Sequence, residues 1–296
     1  MGDFLINTFM VLCVLMLIFY LWMKTHPDFF DRKLKEKAKE NRTKFVKQDS
    51  QLHGRRMIVP REGKAGVRTV IYEPAETGKA KYPVVFMAHG GTFMDGDSDQ
   101  LDTMCRRLCD LWERIIVNIN YTKLDEQKFP YPQEEIRDAV LYFGIHGDEF
   151  RMDAHHFALM GFSAGAYLEI GAAAFLKEKG FRLDGMISVA PFVDDAMIRL
   201  ADVGVHISPY TLVTTETDPM RDRYPVYLQH LKTGGVEVNL REISDAVTGF
   251  MEHNNEEFEN NPLYARSQAI SEDQREIARA LEISIGTDLA QMMENS

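Results

Sequence analysis

The pentapeptide Gly161-Phe162-Ser163-Ala164-Gly165 sets a serine between two glycines, directly after an apolar run over 156–160 and ahead of 166–176, which reads as helix. A serine at a sharp strand-to-helix turn projects its hydroxyl from the edge of a sheet, and the glycines give the turn room. Nucleophilic acyl transfer is the chemistry open to such a residue. That chemistry needs hydrogen-bond donors for the oxygen that becomes negative as the acyl carbon turns tetrahedral. His89-Gly90-Gly91-Thr92-Phe93-Met94-Asp95-Gly96 can supply them, because backbone N–H groups freed by consecutive glycines can turn toward a developing oxyanion.

These residues need a sheet to hold them. Apolar, β-rich runs occur at 55–59, 67–72, 84–88, 115–119, 157–160, 186–189, 211–214 and 236–243, eight candidate strands in all. The first two leave no room for a helix between them, and helix-length segments separate the later ones. The pattern predicts an α/β sheet that starts antiparallel and continues parallel, with the two glycine motifs following the third and fifth strands. Leu101, Met104, Cys105, Leu108, Cys109 and Trp112 fall on one apolar stripe at helical spacing, which predicts a helix over 99–112 packed on that sheet. Ile277, Leu281, Ile285 and Leu289 repeat the period over 271–293.

From about residue 84 to 250 the chain resembles the hormone-sensitive-lipase-like branch of the α/β-hydrolases. HGGTF is similar to the HGGGF oxyanion motif of that branch and GFSAG to its GDSAG elbow; Asn120-Tyr121 and Phe129-Pro130 resemble the segment between them, and Glu216-Thr217-Asp218-Pro219 resembles its acid motif. The resemblance implies an α/β-hydrolase fold with an eight-stranded, mostly parallel sheet and helices on both faces. It also implies Ser163 as nucleophile, Asp218 as the acid, and the N–H groups of Gly90, Gly91 and Ala164 as the oxyanion hole. Asp218 has a second reading, as a helix N-cap ahead of Pro219. Thr92 stands where the family has a third glycine and Phe162 where its elbow has an acidic residue, and neither change removes a backbone donor.

The family's catalytic histidine should precede Gly249-Phe250, and this chain has Thr248 there. Threonine has no accessible pKa with which to accept and return a proton near neutral pH. Three readings are open. His253, five residues further on, serves as a relocated base; or the protein keeps the form of a hydrolase without the activity; or the loop after Ile243 is displaced. Losing the base alone costs about a millionfold in turnover in Ser-His-Asp systems.

Phe4 to Met23 carries no charge, which is about the length of a membrane-spanning helix. Between Lys24 and Lys47 nine Lys or Arg face four acids, and the positive-inside rule then puts this stem and the main domain in the cytoplasm. The expected organisation is a single-pass anchor over 1–24, a basic stem over 25–50 and the hydrolase domain over 51–296. The total charge is −11; setting aside the basic stem and Asp3 leaves about −15 on residues 48–296, which argues against nucleic acid as a partner. Three cysteines, one of them in the apolar run, form neither a disulfide framework nor a metal spacing, so no metal and no cofactor are expected.

The segment from Ala190 to Tyr210, where the family inserts part of its cap, is short, which implies a small or absent lid and an open site for short acyl groups. The chain is therefore expected to be a membrane-anchored carboxylic ester hydrolase taking a small-molecule ester, the alternative being an inactive hydrolase-like binding or interaction domain. The sequence leaves the oligomeric state open.

Overall fold

The structure is a computed structural model that describes residues 16, 20, 22, 24–26, 28–75, 78–202, 209–254 and 270–294. It divides into two compact units, Met1–Glu40 and Asn41–Ser296. The expected membrane span over 4–23 lies almost wholly outside the described residues; among those described, no helix is long and apolar enough to cross a membrane. In the first unit the helix α1 (Phe29–Thr43) begins, with exposed ion pairs Lys35 to Asp31 and Lys33 to Glu36 along its surface.

The second unit is built on eight strands: β1 (Arg55–Arg61), β2 (Lys64–Tyr72), β3 (Tyr82–Ala88), β4 (Ile115–Asn120), β5 (Met152–Phe162), β6 (Gly185–Val189), β7 (Tyr210–Thr215) and β8 (Val238–Ile243). They lie in one sheet in the order β1-β2-β4-β3-β5-β6-β7-β8. Pairing is antiparallel from β1 to β2 and from β2 to β4, and parallel throughout the rest, as the spacing of the apolar runs predicts. The helices are α2 (Asp102–Trp112), α3 (Tyr131–His146), α4 (Ala164–Glu178), α5 (Asp195–Asp202), α6 (Tyr224–Thr233) and α7 (Glu272–Glu294).

Side chains alternate across each strand, so β3 feeds two cores. Val84, Phe86 and Ala88 join Ile136, Val140 and Phe143 of α3 and Leu168 of α4 on one face. Val85 and Met87 join Leu108, Cys109 and Trp112 of α2 and Leu281, Ile285 and Leu289 of α7 on the other. Both faces of the central strands are thus covered, which is why β3 to β6 read as largely apolar runs, whereas the edge strand β8 (Val238–Ile243) stays partly exposed. The expected helix over 99–112 begins instead with a 3-10 turn, Ser98–Leu101, capped by the Asp97 carboxylate on the Asp99 N–H at 3.0 Å.

The order of strands reverses at β3: the chain steps to β4 on one side and returns to β5 on the other. Crevices outside the carboxyl ends of strands form at such switch points. Register pairs Ala88 with Gly161, so the glycine loop after β3 and the serine turn after β5 emerge side by side.

Candidate active site

Ser163 sits at the top of that crevice with φ 47° and ψ −112°, a conformation that costs a residue with a side chain on the order of 1–3 kcal/mol. Three backbone bonds hold it. Its N–H donates to the Val189 carbonyl at 2.9 Å, and its carbonyl accepts from the Tyr167 and Phe192 N–H groups, each at 3.3 Å. The two motif glycines are required by contact: a Cβ on Gly165 would lie 2.2 Å from the Ala88 oxygen, and one on Gly161 would lie 2.4 Å from the Ala166 Cα. Ala164 opens α4, so its N–H points out of a helix N-terminus. Among the described residues, no side chain hydrogen-bonds the Ser163 hydroxyl.

The glycine loop is braced from below. His89 is fully buried and stacks on Tyr121 with ring centroids 4.5 Å apart. The Lys123 Nζ reaches His89 Nε2 at 3.1 Å, and His89 Nδ1 lies 2.6 Å from the Gly90 carbonyl. With Nε2 accepting from the lysine, Nδ1 carries the hydrogen and donates to Gly90 O. Because a peptide unit is planar, fixing that carbonyl also fixes the direction of the Gly91 N–H. Burial and the neighbouring Lys123 hold His89 well below its ordinary pKa, and burial brings Lys123 down to about 7. Gly91 adopts φ +139°, and a Cβ there would lie 2.1 Å from the Asp95 oxygen.

Asp218 follows β7 and is buried, but it meets no histidine among the described residues. Its Oδ2 accepts from the Tyr224 hydroxyl at 2.7 Å and from Thr214 Oγ1 at 3.1 Å; its Oδ1 accepts from the Met220 N–H at 2.9 Å. Tyr224 is pushed well above its ordinary range, by burial first and then by this carboxylate. Thr248 comes off the neighbouring β8, and its Oγ1 lies 3.2 Å from both Thr215 Oγ1 and Thr217 Oγ1. Its N–H also donates to Thr217 Oγ1 at 2.9 Å.

His253 sits one turn beyond, its N–H donating to the Gly249 carbonyl at 2.9 Å. Its ring lies against Gly249, where a Cβ would come within 3.2 Å of Cε1, and burial lowers its pKa to about 4. The imidazole is thus neutral at pH 7 and a weak proton acceptor. The structure therefore brings Ser163, Ala164, Gly90 and Gly91 to one crevice, and sets Asp218 and Thr248 on the β7 and β8 side of it.

Glu252 was not legible as a site residue. Its Oε1 accepts a hydrogen bond from the Gly90 N–H at 3.1 Å, across 162 residues of sequence, and burial raises it to about 7. An acidic residue in the run Met251-Glu252-His253-Asn254 carries no motif that would mark it. Four aromatics cluster beside the serine turn: the half-buried Phe93 from the glycine loop, Tyr167 one turn beyond the serine and Phe192 after β6, and the exposed Phe129, with centroids 5.3–5.9 Å apart in the contacting pairs. Among the described residues, no three His, Cys, Asp or Glu side chains are grouped to hold a metal ion.

A family model described as BD-FAE matches residues 70–220, just over half of the chain. The chain belongs to the BD-FAE family. The match runs from β2 past the Asp218 turn and so takes in both glycine motifs. Among curated proteins, the acetyl esterases of Salmonella schwarzengrund and Salmonella typhi are each 29% identical over 123 residues, which is 42% of this chain and 37% of theirs. The alignment thus spans little more than a third of those relatives. Among solved structures, an esterase from Pyrobaculum calidifontis superposes with a TM-score of 0.67 at 20% identity, covering 93% of this chain and 98% of that one. One of two fungal esterases from Rhizomucor miehei gives 0.68 at 21%, covering 88% and 91%. These likenesses establish the α/β-hydrolase fold.

Proposed function

We propose that this BD-FAE family member is a serine-dependent carboxylic ester hydrolase acting on small esters. The observation that carries the reading is Ser163 in its strained turn after β5, which the register of β3 and β5 sets next to the glycine loop. In the reaction, Ser163 Oγ attacks the acyl carbon, the three N–H groups receive the oxyanion, and the alcohol leaves with a proton. Water then releases the acid. The acetyl esterase relatives support the reaction class. The aromatic wall of Phe93, Phe129, Tyr167 and Phe192 supports a short acyl group, because those rings pack on one another and fill the space a long chain would take.

The proton acceptor is the step that differs. Thr248 is bonded to two other hydroxyls, and Asp218 has both oxygens engaged, so neither acts as base or orients one. His253 is the neutral imidazole nearest the family position. Burial disfavours its charged form, which makes it a weaker base than an exposed imidazole. The reading includes an anchor over 4–23 and a cytoplasmic face for the hydrolase unit, supported by the charge-free run and the basic stem.

A p-nitrophenyl acetate assay tests the reaction. Hydrolysis that disappears in Ser163→Ala and falls in His253→Ala supports the reading; wild type equal to Ser163→Ala sinks it. A second reading, a hydrolase-like binding domain without turnover, is favoured by the sealed Asp218 and by the hydroxyls around Thr248. It predicts ligand binding that Ser163→Ala leaves unchanged.

A further inference from the structure

The glycine loop after β3 is held in a conformation that its residues do not favour. Thr92 and Phe93 both lie in the left-handed region, at φ 50° and 67°, directly after Gly91 at φ 139°. Residues with side chains stay in such conformations only where the surroundings over-determine them. Within the loop, the Gly91 carbonyl accepts from the Met94 and Asp95 N–H groups at 3.1 and 2.7 Å. Further restraint comes from outside it.

Arg42, in the last turn of α1, is 8% exposed, and its guanidinium spans two loops. Nη1 donates to the Met94 carbonyl at 2.8 Å and to Asp125 Oδ1 at 2.7 Å, and Nη2 donates to Glu126 Oε1 at 2.8 Å. Leu124, next to Asp125, donates its N–H to the Phe93 carbonyl at 3.0 Å. The loop after β4 thus holds one carbonyl of the glycine loop, and Arg42 ties the next carbonyl to that same loop. The neighbours of Arg42 fasten it in turn. Asn41 Nδ2 donates to Asp95 Oδ2 at 3.3 Å, Phe45 is buried in the core, and the Lys47 N–H donates to Asp99 Oδ2 at 2.9 Å.

The loop conformation decides where the Phe93 ring lies. It packs edge-on against Tyr167 and Phe192, with centroids 5.3 and 5.7 Å away. Those are the two residues whose N–H groups hold the Ser163 carbonyl at 3.3 Å. A chain of contacts therefore runs from Arg42 through the glycine loop to the serine turn. The BD-FAE match begins at residue 70, so Arg42 supports the site from outside the matched region.

We infer that Arg42 is a positioning residue for the site: it clamps the glycine loop to the loop after β4 and so keeps Phe93 seated against the serine turn. The inference rests on the ester-hydrolase reading for what the loop serves, but the clamp itself does not depend on turnover. Lysine cannot replace it, because an ammonium is a point charge whereas the planar guanidinium reaches a carbonyl and two carboxylates together.

Two measurements compare full-length wild type with Arg42→Lys and Arg42→Met. The lysine variant keeps a charge beside Asp125, so it serves as the test protein should the methionine variant fail to fold. The first measurement is amide hydrogen exchange. Exchange at Met94, Asp95 and Leu124 should quicken about tenfold in Arg42→Lys, the scale of one hydrogen bond to a charged group, while the core amides of Phe86 and Leu159 keep their rates. Unchanged loop exchange overturns the inference. A uniform rise that includes Phe86 and Leu159 also overturns it, because Arg42 would then only stabilise the fold. The second measurement is p-nitrophenyl acetate hydrolysis together with fluorophosphonate labelling. Both rates should fall about tenfold in Arg42→Lys with the core amides unchanged. Wild-type rates in a variant whose loop exchange has quickened overturn the inference. Quickened loop exchange with no hydrolysis by any of the three proteins leaves the clamp standing and removes the hydrolase reading.

Discussion

The Tyr224 hydroxyl donates to Asp218 Oδ2 at 2.7 Å, so the carboxylate proposed as the acid is already held by a buried phenol. With Thr214 on the same oxygen and the Met220 N–H on the other, the carboxylate has three donors and none of them is a histidine. A buried carboxylate left unpartnered costs several kcal/mol, so a chain without the histidine is stable only if other donors replace it.

Restoring the histidine should therefore need two changes. Thr248→His alone is expected to raise p-nitrophenyl acetate hydrolysis modestly, because Tyr224 competes for Asp218. Thr248→His with Tyr224→Phe should raise it by a further factor of about ten, the usual scale of one hydrogen bond to a charged group. Steady-state kcat/KM of the two single variants and the double variant gives the coupling directly.

The elbow predicts a stability effect at Gly165. A methyl group there meets the Ala88 oxygen at 2.2 Å, a backbone atom in the middle of the sheet that cannot move aside. Gly165→Ala should destabilise by on the order of 3 kcal/mol, seen as a lower midpoint in urea. Ser163→Ala, at a strained site without a side-chain bond, should cost far less.

Opposed pH effects are expected from adjacent residues. Burial raises Glu252 from 4.5 to about 7, so its contribution to stability is fully present below pH 4.5 and is lost as pH rises through 7. Burial lowers His253 from 6.5 to about 4, so its contribution is present above 6.5 and is lost as pH falls through 4. Glu252→Gln should flatten the loss on the alkaline side and His253→Gln the loss on the acid side. Urea titrations from about pH 4 to 8 separate them.

Asp102 is a further test of the scaffold. It is fully buried in α2 and accepts from Lys47 Nζ at 2.8 Å, His53 Nδ1 at 2.8 Å and Tyr72 Oη at 2.9 Å. Asp102→Ala strands the buried Tyr72 hydroxyl and removes the partner of Lys47, with an expected loss of about 3–5 kcal/mol in chemical denaturation.

Much of the fold was legible because its central strands are buried on both faces and its α2 and α7 helices keep a strict stripe. Each of the eight apolar runs is a strand, although β5 begins at Met152, earlier than its run, since Asp153, His155 and His156 mask the edge. The helix α3 fills one of the helix-length segments expected between the strands, and Ile136, Ala139, Val140 and Phe143 carry its stripe. At the site, Ser163 and the glycine pair announce themselves because backbone geometry dictates residue type locally. The bonds from Tyr224 to Asp218 and from Gly90 to Glu252 are set by how distant turns meet, and a tyrosine or glutamate is an ordinary residue wherever it falls.

The hydroxyls of Thr215, Thr217 and Thr248 lie 3.2–3.4 Å apart around a closed triangle. Each can donate to one neighbour and accept from the other, so the ring has two possible proton orders and neither carries charge. The corner formed by these three hydroxyls therefore keeps a charge of zero across the whole physiological range. An imidazole placed at 248 would break that ring and leave the Thr215 and Thr217 hydroxyls, 3.4 Å apart, to pair with each other.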